Sequence, residues 1–202
     1  MLASDKRSVR SIVVMKATEE KFRTLNKHAV MSYSGEAGDA VHFAELIQRN
    51  IQLYGVRHEQ QELGVEAAAS WTRQVLADSL RSRSPYQVNL LIGGLENVRE
   101  PRMVADKEGE VSECSASLWA PRLYWIDYLA AMVEVPFAVH GYASYFCTSL
   151  LDRHWREGMN ETEVLDLLRL CLRELQKRFI VNFPDVSVRI IRASGVEAVD
   201  LA

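Results

Sequence analysis

The sequence predicts an α+β protein in which antiparallel sheets are covered by layers of helices. Three observations carry this. Short β-branched or alternating segments and longer segments of helical period succeed one another as strands, two helices, strands, two helices, strands. The helices come in pairs, whereas a doubly wound parallel sheet alternates helices and strands one by one. The chain has 202 residues, 48% hydrophobic and 25% charged, enough for a sizeable core and outside the disordered range.

The first forty residues read as extended. Ser11 to Lys16 is short and β-branched, and Ala29 to Ser34 alternates apolar with small polar residues. Gly35-Glu-Ala-Gly38 then breaks the pattern, with Asp39 as the expected N-cap. Ala40, Phe43, Ala44, Ile47, Ile51 and Tyr54 recur at helical spacing, so a helix should run to about Gly55. A second helix is expected from Val65 to about Ser82, burying Ala68, Trp71, Val75, Leu76 and Leu80, with Pro85 just beyond its end. Tyr86 to Ile92 reads as a strand closed by Gly93-Gly94. Leu95 to Pro121 lacks a sustained period and is expected to be a long exposed insertion loop, at about 96–120. Leu123 to Tyr128 and Ala131 to Val135 should pair as a hairpin. Tyr142 to His154 is a third helix. The fourth opens at Asn160, with Glu163 three residues on as in a capping box, and Val164, Leu167, Leu168, Cys171, Leu172 and Leu175 keep its period. Val186 to Ile191, a Ser194-Gly195 turn and Val196 to Val199 close the chain. No internal repeat or domain linker is evident, so residues 1–202 read as one domain.

Several functional classes are disfavoured. Lys and Arg number 24 against 27 Asp and Glu, so the net charge of −3 offers no bulk attraction for nucleic acid or an anionic membrane. The uncharged run Val135–Leu151 contains Pro136, His140 and Gly141 and does not read as a membrane span. Asp5, Lys6, Arg7 and Arg10 leave no apolar stretch for a signal peptide. Cys114, Cys147 and Cys171 are an odd, widely spaced set, which fits a reducing compartment, cytosolic or nuclear, better than a disulfide framework.

Residue chemistry alone names no active site. His28, His42, His58, His140 and His154 lie on different predicted elements without ligand spacing, so no metal is expected. Gly93-Gly94 is followed by no phosphate-binding signature, and a turn after a buried strand explains it better; no cofactor is expected. Cys147 and Cys171 fall on apolar helix faces, where free Cys behaves as a small hydrophobe. Cys114 should be exposed in the long loop, without an adjacent base. Arg57, Arg81 and Arg83 are scattered cations best read as a solvated face or a subunit contact.

Two long runs carry a resemblance. Met31-Ser-Tyr-Ser-Gly-Glu-Ala-Gly-Asp39 and Leu80-Arg-Ser-Arg-Ser-Pro-Tyr-Gln-Val-Asn-Leu-Leu-Ile-Gly-Gly94 resemble beta-type subunits of the 20S proteasome. Tyr124-Trp-Ile-Asp-Tyr-Leu129, Val139-His-Gly-Tyr142 and Leu150-Leu-Asp152 extend the likeness, which covers nearly the whole chain except roughly Glu96 to Ala120 and is closest in pattern to the beta type-4 branch. The resemblance implies a four-layer αββα sandwich of the N-terminal nucleophile hydrolase type, and a place in a seven-membered beta ring beside other beta and alpha subunits. The ring's chamber receives unfolded polypeptide in ubiquitin- and ATP-dependent degradation, in cytoplasm and nucleus.

Catalytic members of that family use an N-terminal threonine as nucleophile and its own amine as base. By the resemblance, Asp5 falls at the family's aspartate, Lys21 at its lysine and Gly35 at its oxyanion glycine. The chain begins after the position of the threonine and of the first strand, so the first strand of that fold is expected to be missing and its hairpin partner unpaired. Tyr142 stands where a serine is expected, and Phe179 to Phe183 contain neither the supporting Asp nor Ser. Asp5, Lys21 and Gly35 therefore read as vestigial, and the chain as a non-catalytic structural subunit. The alternatives are a threonine peptidase whose N-terminus is absent from this sequence, and a truncated paralogue acting in assembly. Arg81, Arg83, Tyr86, His140, Tyr142 and Tyr145 are the candidate interface residues, and Leu118 and Trp119 could reach a neighbour.

Overall fold

A computed structural model describes residues 1–10, 13–59, 61–105, 111–179 and 185–200. Its elements are β1 (Leu2–Asp5), β2 (Ser8–Arg10), β3 (Val13–Lys16), β4 (Phe22–Asn26), β5 (Ala29–Gly35), α1 (Ala37–Arg57), α2 (Val65–Ser79), β6 (Val88–Ala105), β7 (Val111–Ile126), β8 (Met132–Glu134), α3 (Ser144–His154), α4 (Glu161–Arg178), β9 (Val186–Arg192) and β10 (Gly195–Asp200). A turn of 3₁₀-helix, Gly141–Ala143, leads into α3. The protein is α+β, and the paired helices fall where periodicity puts them.

Every described strand pairing is antiparallel. β4-β5-β6-β7-β8 form a five-stranded sheet, β1-β9-β10 a three-stranded one, and β2-β3 a short ribbon. In β5 every residue from Ala29 to Tyr33 is buried, so both faces of the central strand are covered. Strand alternation assigns the faces. Ala29, Met31 and Tyr33 join Leu90 and Ile92 of β6 and Tyr124 and Ile126 of β7 in the core under α1 and α2. Val30 faces the other way, packing with Leu2, Phe22, Leu91, Leu123, Ile191 and Val196 between the two larger sheets.

α1 and α2 deliver Phe43, Ala44, Ile47, Ala68 and Leu76, all fully buried, to the first core. The helical spacing of those apolar residues is why the segment is helical, and burying them is what holds it. α1 starts earlier than the N-cap expected at Asp39: Glu36 is its N-cap, and Asp39 lies in the first turn. The Asp39 carboxylate instead accepts from the Gln87 amide at 3.3 Å, tying α1 to the entry of β6. α4 begins as the sequence indicates. The Glu163 amide donates to Asn160 Oδ1 at 3.0 Å, and the Asn160 amide donates to Glu163 Oε2 at 2.9 Å.

Two sequence expectations need correction. Gly93-Gly94 does not close a strand: β6 continues through both glycines, which are buried opposite Leu123 and Arg122 of β7. Gly94 serves close approach, since a Cβ there would meet Val65 of α2 and the His28 carbonyl. The segment expected as a long loop is also strand. β6 and β7 stay in register from Leu95↔Pro121 to Ala105↔Val111, with residues 106–110 outside the described set. Cys114 accordingly lies in β7, paired with Arg102. The sequence hides this because alternation marks a strand only when one face is buried, and this ribbon leaves the rest of the sheet behind.

The N-terminal region is paired on one side. All four residues of β1 pair with β9, from Leu2↔Arg189 to Asp5↔Val186, and β1 forms the edge of its sheet among the described residues.

Candidate functional site

β1 and the approach to β4 bring Asp5 and Lys21 together. Lys21 Nζ donates to both oxygens of the Asp5 carboxylate, each at 2.9 Å, and to the Arg7 carbonyl at 2.7 Å. The Arg7 amide adds a 3.1 Å bond to Asp5 Oδ2. The side chains are 18% and 34% exposed, so the pair is shielded without being sealed from water.

The surroundings are equally tied. The Tyr33 amide donates to the Lys21 carbonyl at 3.1 Å, and the Tyr33 hydroxyl to the Glu20 carbonyl at 2.9 Å. Burial pushes the Tyr33 phenol above its usual range, while the Arg23 guanidinium, 5.3 Å from the ring centre, pulls the other way. Gly35 ends β5 at φ +145°, and a Cβ there would sit 2.1 Å from the Gln87 carbonyl oxygen. Glycine is required for that approach.

An ammonium carries three donors. In Lys21 they meet the two carboxylate oxygens and one backbone carbonyl. The arrangement is an ion-pair joint fastening the β1 end to the start of β4.

Elsewhere, among the described residues, no group of three or more His, Cys, Asp or Glu side chains could hold a metal. No described helix is long and apolar enough to cross a membrane. An open groove of about 470 Å³ lies between β4 and the end of α1, lined by Asn26, Ile51, Val56 and Leu63 among others; Asp5, Lys21 and Gly35 do not line it.

The expected interface residues divide. Arg81 and Arg83 are exposed, and Tyr142 and Tyr145 are 76% and 79% exposed. Tyr86 is drawn inward, with its ring 5.1 Å from that of Phe43 and packed on the helix-side core. His140 is also drawn inward: it stacks on Trp125 at 5.1 Å, and its Nε2 meets the Leu90 carbonyl at 3.0 Å. Burial lowers its pKa below the ordinary histidine value, against opposing contributions from the Leu90 and Ile126 carbonyls and Asp127. Phe179 makes edge contacts with Tyr142 and Phe146, while 180–184, the rest of the segment expected to lack catalytic support, lie outside the described residues.

A family model described as Proteasome subunit matches residues 1–120 and 116–191. The chain belongs to the proteasome subunit family. It is 46% identical over 200 residues to the proteasome subunit beta type-4 of Saccharomyces cerevisiae, covering 99% of this chain and 91% of that one. A probable proteasome subunit beta type-4 of Meyerozyma guilliermondii is 43% identical over 200 residues, covering 99% and 93%. The proteasome subunit beta type-2-B of Arabidopsis thaliana is 36% identical over 195 residues, covering 96% and 87%. The two parts of the proteasome family match overlap at 116–120, inside the β6–β7 ribbon.

Sequence reasoning missed two clusters in this proteasome chain. His28 joins three segments, with Nδ1 2.9 Å from Glu62 Oε2, Nε2 3.0 Å from the Ala193 carbonyl, and its ring 4.4 Å from Trp119. Arg122 bridges Glu134 at 2.8 Å and Glu96 at 3.5 Å across β6, β7 and β8. Neither set shares a sequence period, so no local signal could have found them.

Proposed function

We propose that the chain is a non-catalytic structural subunit of the 20S proteasome core, one position of a seven-membered beta ring. It would form part of the chamber wall for unfolded polypeptide in ubiquitin- and ATP-dependent degradation, in cytoplasm and nucleus. The chain would act as one domain whose four layers are α1/α2, the two larger sheets, and α3/α4. The observation that carries the non-catalytic reading is Tyr142, 76% exposed at the position where the resemblance expects a serine.

Exposed apolar groups support a role in assembly. Leu46, Leu53 and Val56 lie on the outer side of α1, and Tyr128, Leu129 and Val133 cluster at the β7–β8 turn. With Tyr142 and Tyr145, they give surfaces of the kind that mark protein contacts. Arg81 and Arg83 would add charge to one of them. Other proteasome beta and alpha subunits are the partners this reading names.

The retained Asp5–Lys21 contact is what a catalytic reading would rest on. One experiment separates the two: recover the endogenous chain from the particle with which it sediments, then treat it with an electrophile that labels N-terminal-threonine peptidases. The structural reading expects a roughly 20S particle in which neighbouring chains are labelled and this one is not. Label on this chain would make it a peptidase, and sedimentation outside any large particle would remove the ring role.

A further inference from the structure

The helix pair α3/α4 holds two thiols that the structural role does not use. Cys147 and Cys171 are free and only 4% and 5% exposed. The Cys147 thiol donates to the Cys171 carbonyl oxygen at 3.9 Å, which brings the two cysteines together where α3 packs on α4. They are far apart in sequence but face each other across the helix–helix seam.

The seam itself is thin. Cys147 is the buried residue of α3, and Leu167 and Cys171 are those of α4. None of the three belongs to either hydrophobic core. A helix pair with so little buried apolar surface opens locally at lower free energy than the sheets, so a small oxidant can reach the thiols without global unfolding.

We propose that Cys147 and Cys171 form a reversible disulfide that staples α3 to α4 when the protein meets hydrogen peroxide. The Cys171 sulfur, as thiolate, attacks one peroxide oxygen. The O–O bond breaks, and the departing hydroxide takes up the proton that Cys171 released, leaving a sulfenic acid and one water. The Cys147 sulfur then attacks the Cys171 sulfur; the S–O bond breaks, and the hydroxyl leaves with the Cys147 proton as a second water. Two thiols and one peroxide thus give one disulfide and two waters, and an external thiol reverses the step by exchange. The neighbouring Cys147 side chain lowers the Cys171 thiol below its usual range, while Cys171 together with burial holds Cys147 above it, which makes Cys171 the attacking sulfur.

The cross-link would convert the least anchored layer of the fold into a closed loop, restraining its opening. Cys114, on β7, is the internal control.

The test is made on the full chain in whatever complex it is recovered from. It is treated with peroxide, blocked with an alkylating reagent under denaturing conditions and mapped by peptide mass. The expected result is one species in which the Cys147 and Cys171 peptides are joined with the loss of two hydrogens, separated again by dithiothreitol, with Cys114 alkylated. Amides of α3 should then exchange roughly tenfold more slowly than in the reduced protein. Recovery of both cysteines as free thiols, their conversion to sulfinic acids, or a link through Cys114 would overturn the proposal. Cys171→Ser should abolish the reaction at Cys147 and Cys114→Ser should not; the wild-type map decides the matter even if a variant fails to fold.

Discussion

Gly94 lies so close to Val65 that a Cβ on the glycine would come within 2.5 Å of the Val65 Cγ2 atom, and equally close to the His28 carbonyl oxygen. One glycine thus sets the distance between β6, the start of α2 and the β4–β5 turn. Its neighbour is more permissive, because a Cβ on Gly93 would meet only Leu2 and Leu123 side chains, at 3.4 Å or more. Gly94→Ala should destabilise by about 1–3 kcal/mol through overpacking, with Gly93→Ala below about 1 kcal/mol. Denaturant melts of the two variants side by side check this, and equal midpoints would refute it.

Lys21 should matter for stability and leave chemistry untouched. Removing it strands the Asp5 carboxylate and the Arg7 carbonyl in a partly shielded site. Lys21→Ala should cost about 1–2 kcal/mol, a value reduced by the remaining solvent exposure of Asp5. Peptidase activity of a particle containing the variant should match that of the wild type, and a specific loss of one activity would contradict the structural reading.

His140 should make the fold acid-sensitive. Its pKa is lowered in the folded state, so the unfolded chain takes up its proton first as pH falls. The stabilisation is complete above the ordinary histidine value of about 6.5 and is lost as pH falls from there toward the lowered folded value. Melting temperatures measured between about pH 5 and 8 should drop on the acid side in the wild type. In His140→Phe that part of the drop should vanish, since the ring on Trp125 no longer titrates.

The reciprocal bonds at Asn160 predict a local effect. Asn160→Ala removes the acceptor for the Glu163 amide at the head of α4. A loss of about 1 kcal/mol is expected, and hydrogen exchange should accelerate first in the opening turn of α4. Unchanged exchange there would show that the cap contributes nothing.

Much of the architecture was legible. The spacing of Phe43, Ile47 and Ile51 and the Asn160–Glu163 start of α4 are local patterns, and local patterns survive into the fold because each reports one buried face or one helix end. Family membership was readable for a related reason: the runs ending at Asp39 and Gly94 are long and contiguous. Where the reading failed, a long-range contact had overruled a local rule. Gly93-Gly94 looks like a turn until α2 is set against it. The segment after Leu95 looks like a loop until its register with β7 is known. Tyr86 and His140 look like surface groups until Phe43 and Trp125 come up beside them.

The sequence by itself determined where the four helices lie, which of their faces are apolar and which family the chain belongs to, because those are written in neighbours a few residues apart. Tertiary structure alone decided that Lys21 spends its donors on Asp5 and Arg7, and that Cys147 and Cys171 meet. Those groups are far apart along the chain, and only the packing of β1 beside β9 and of α3 against α4 makes their chemistry mutual.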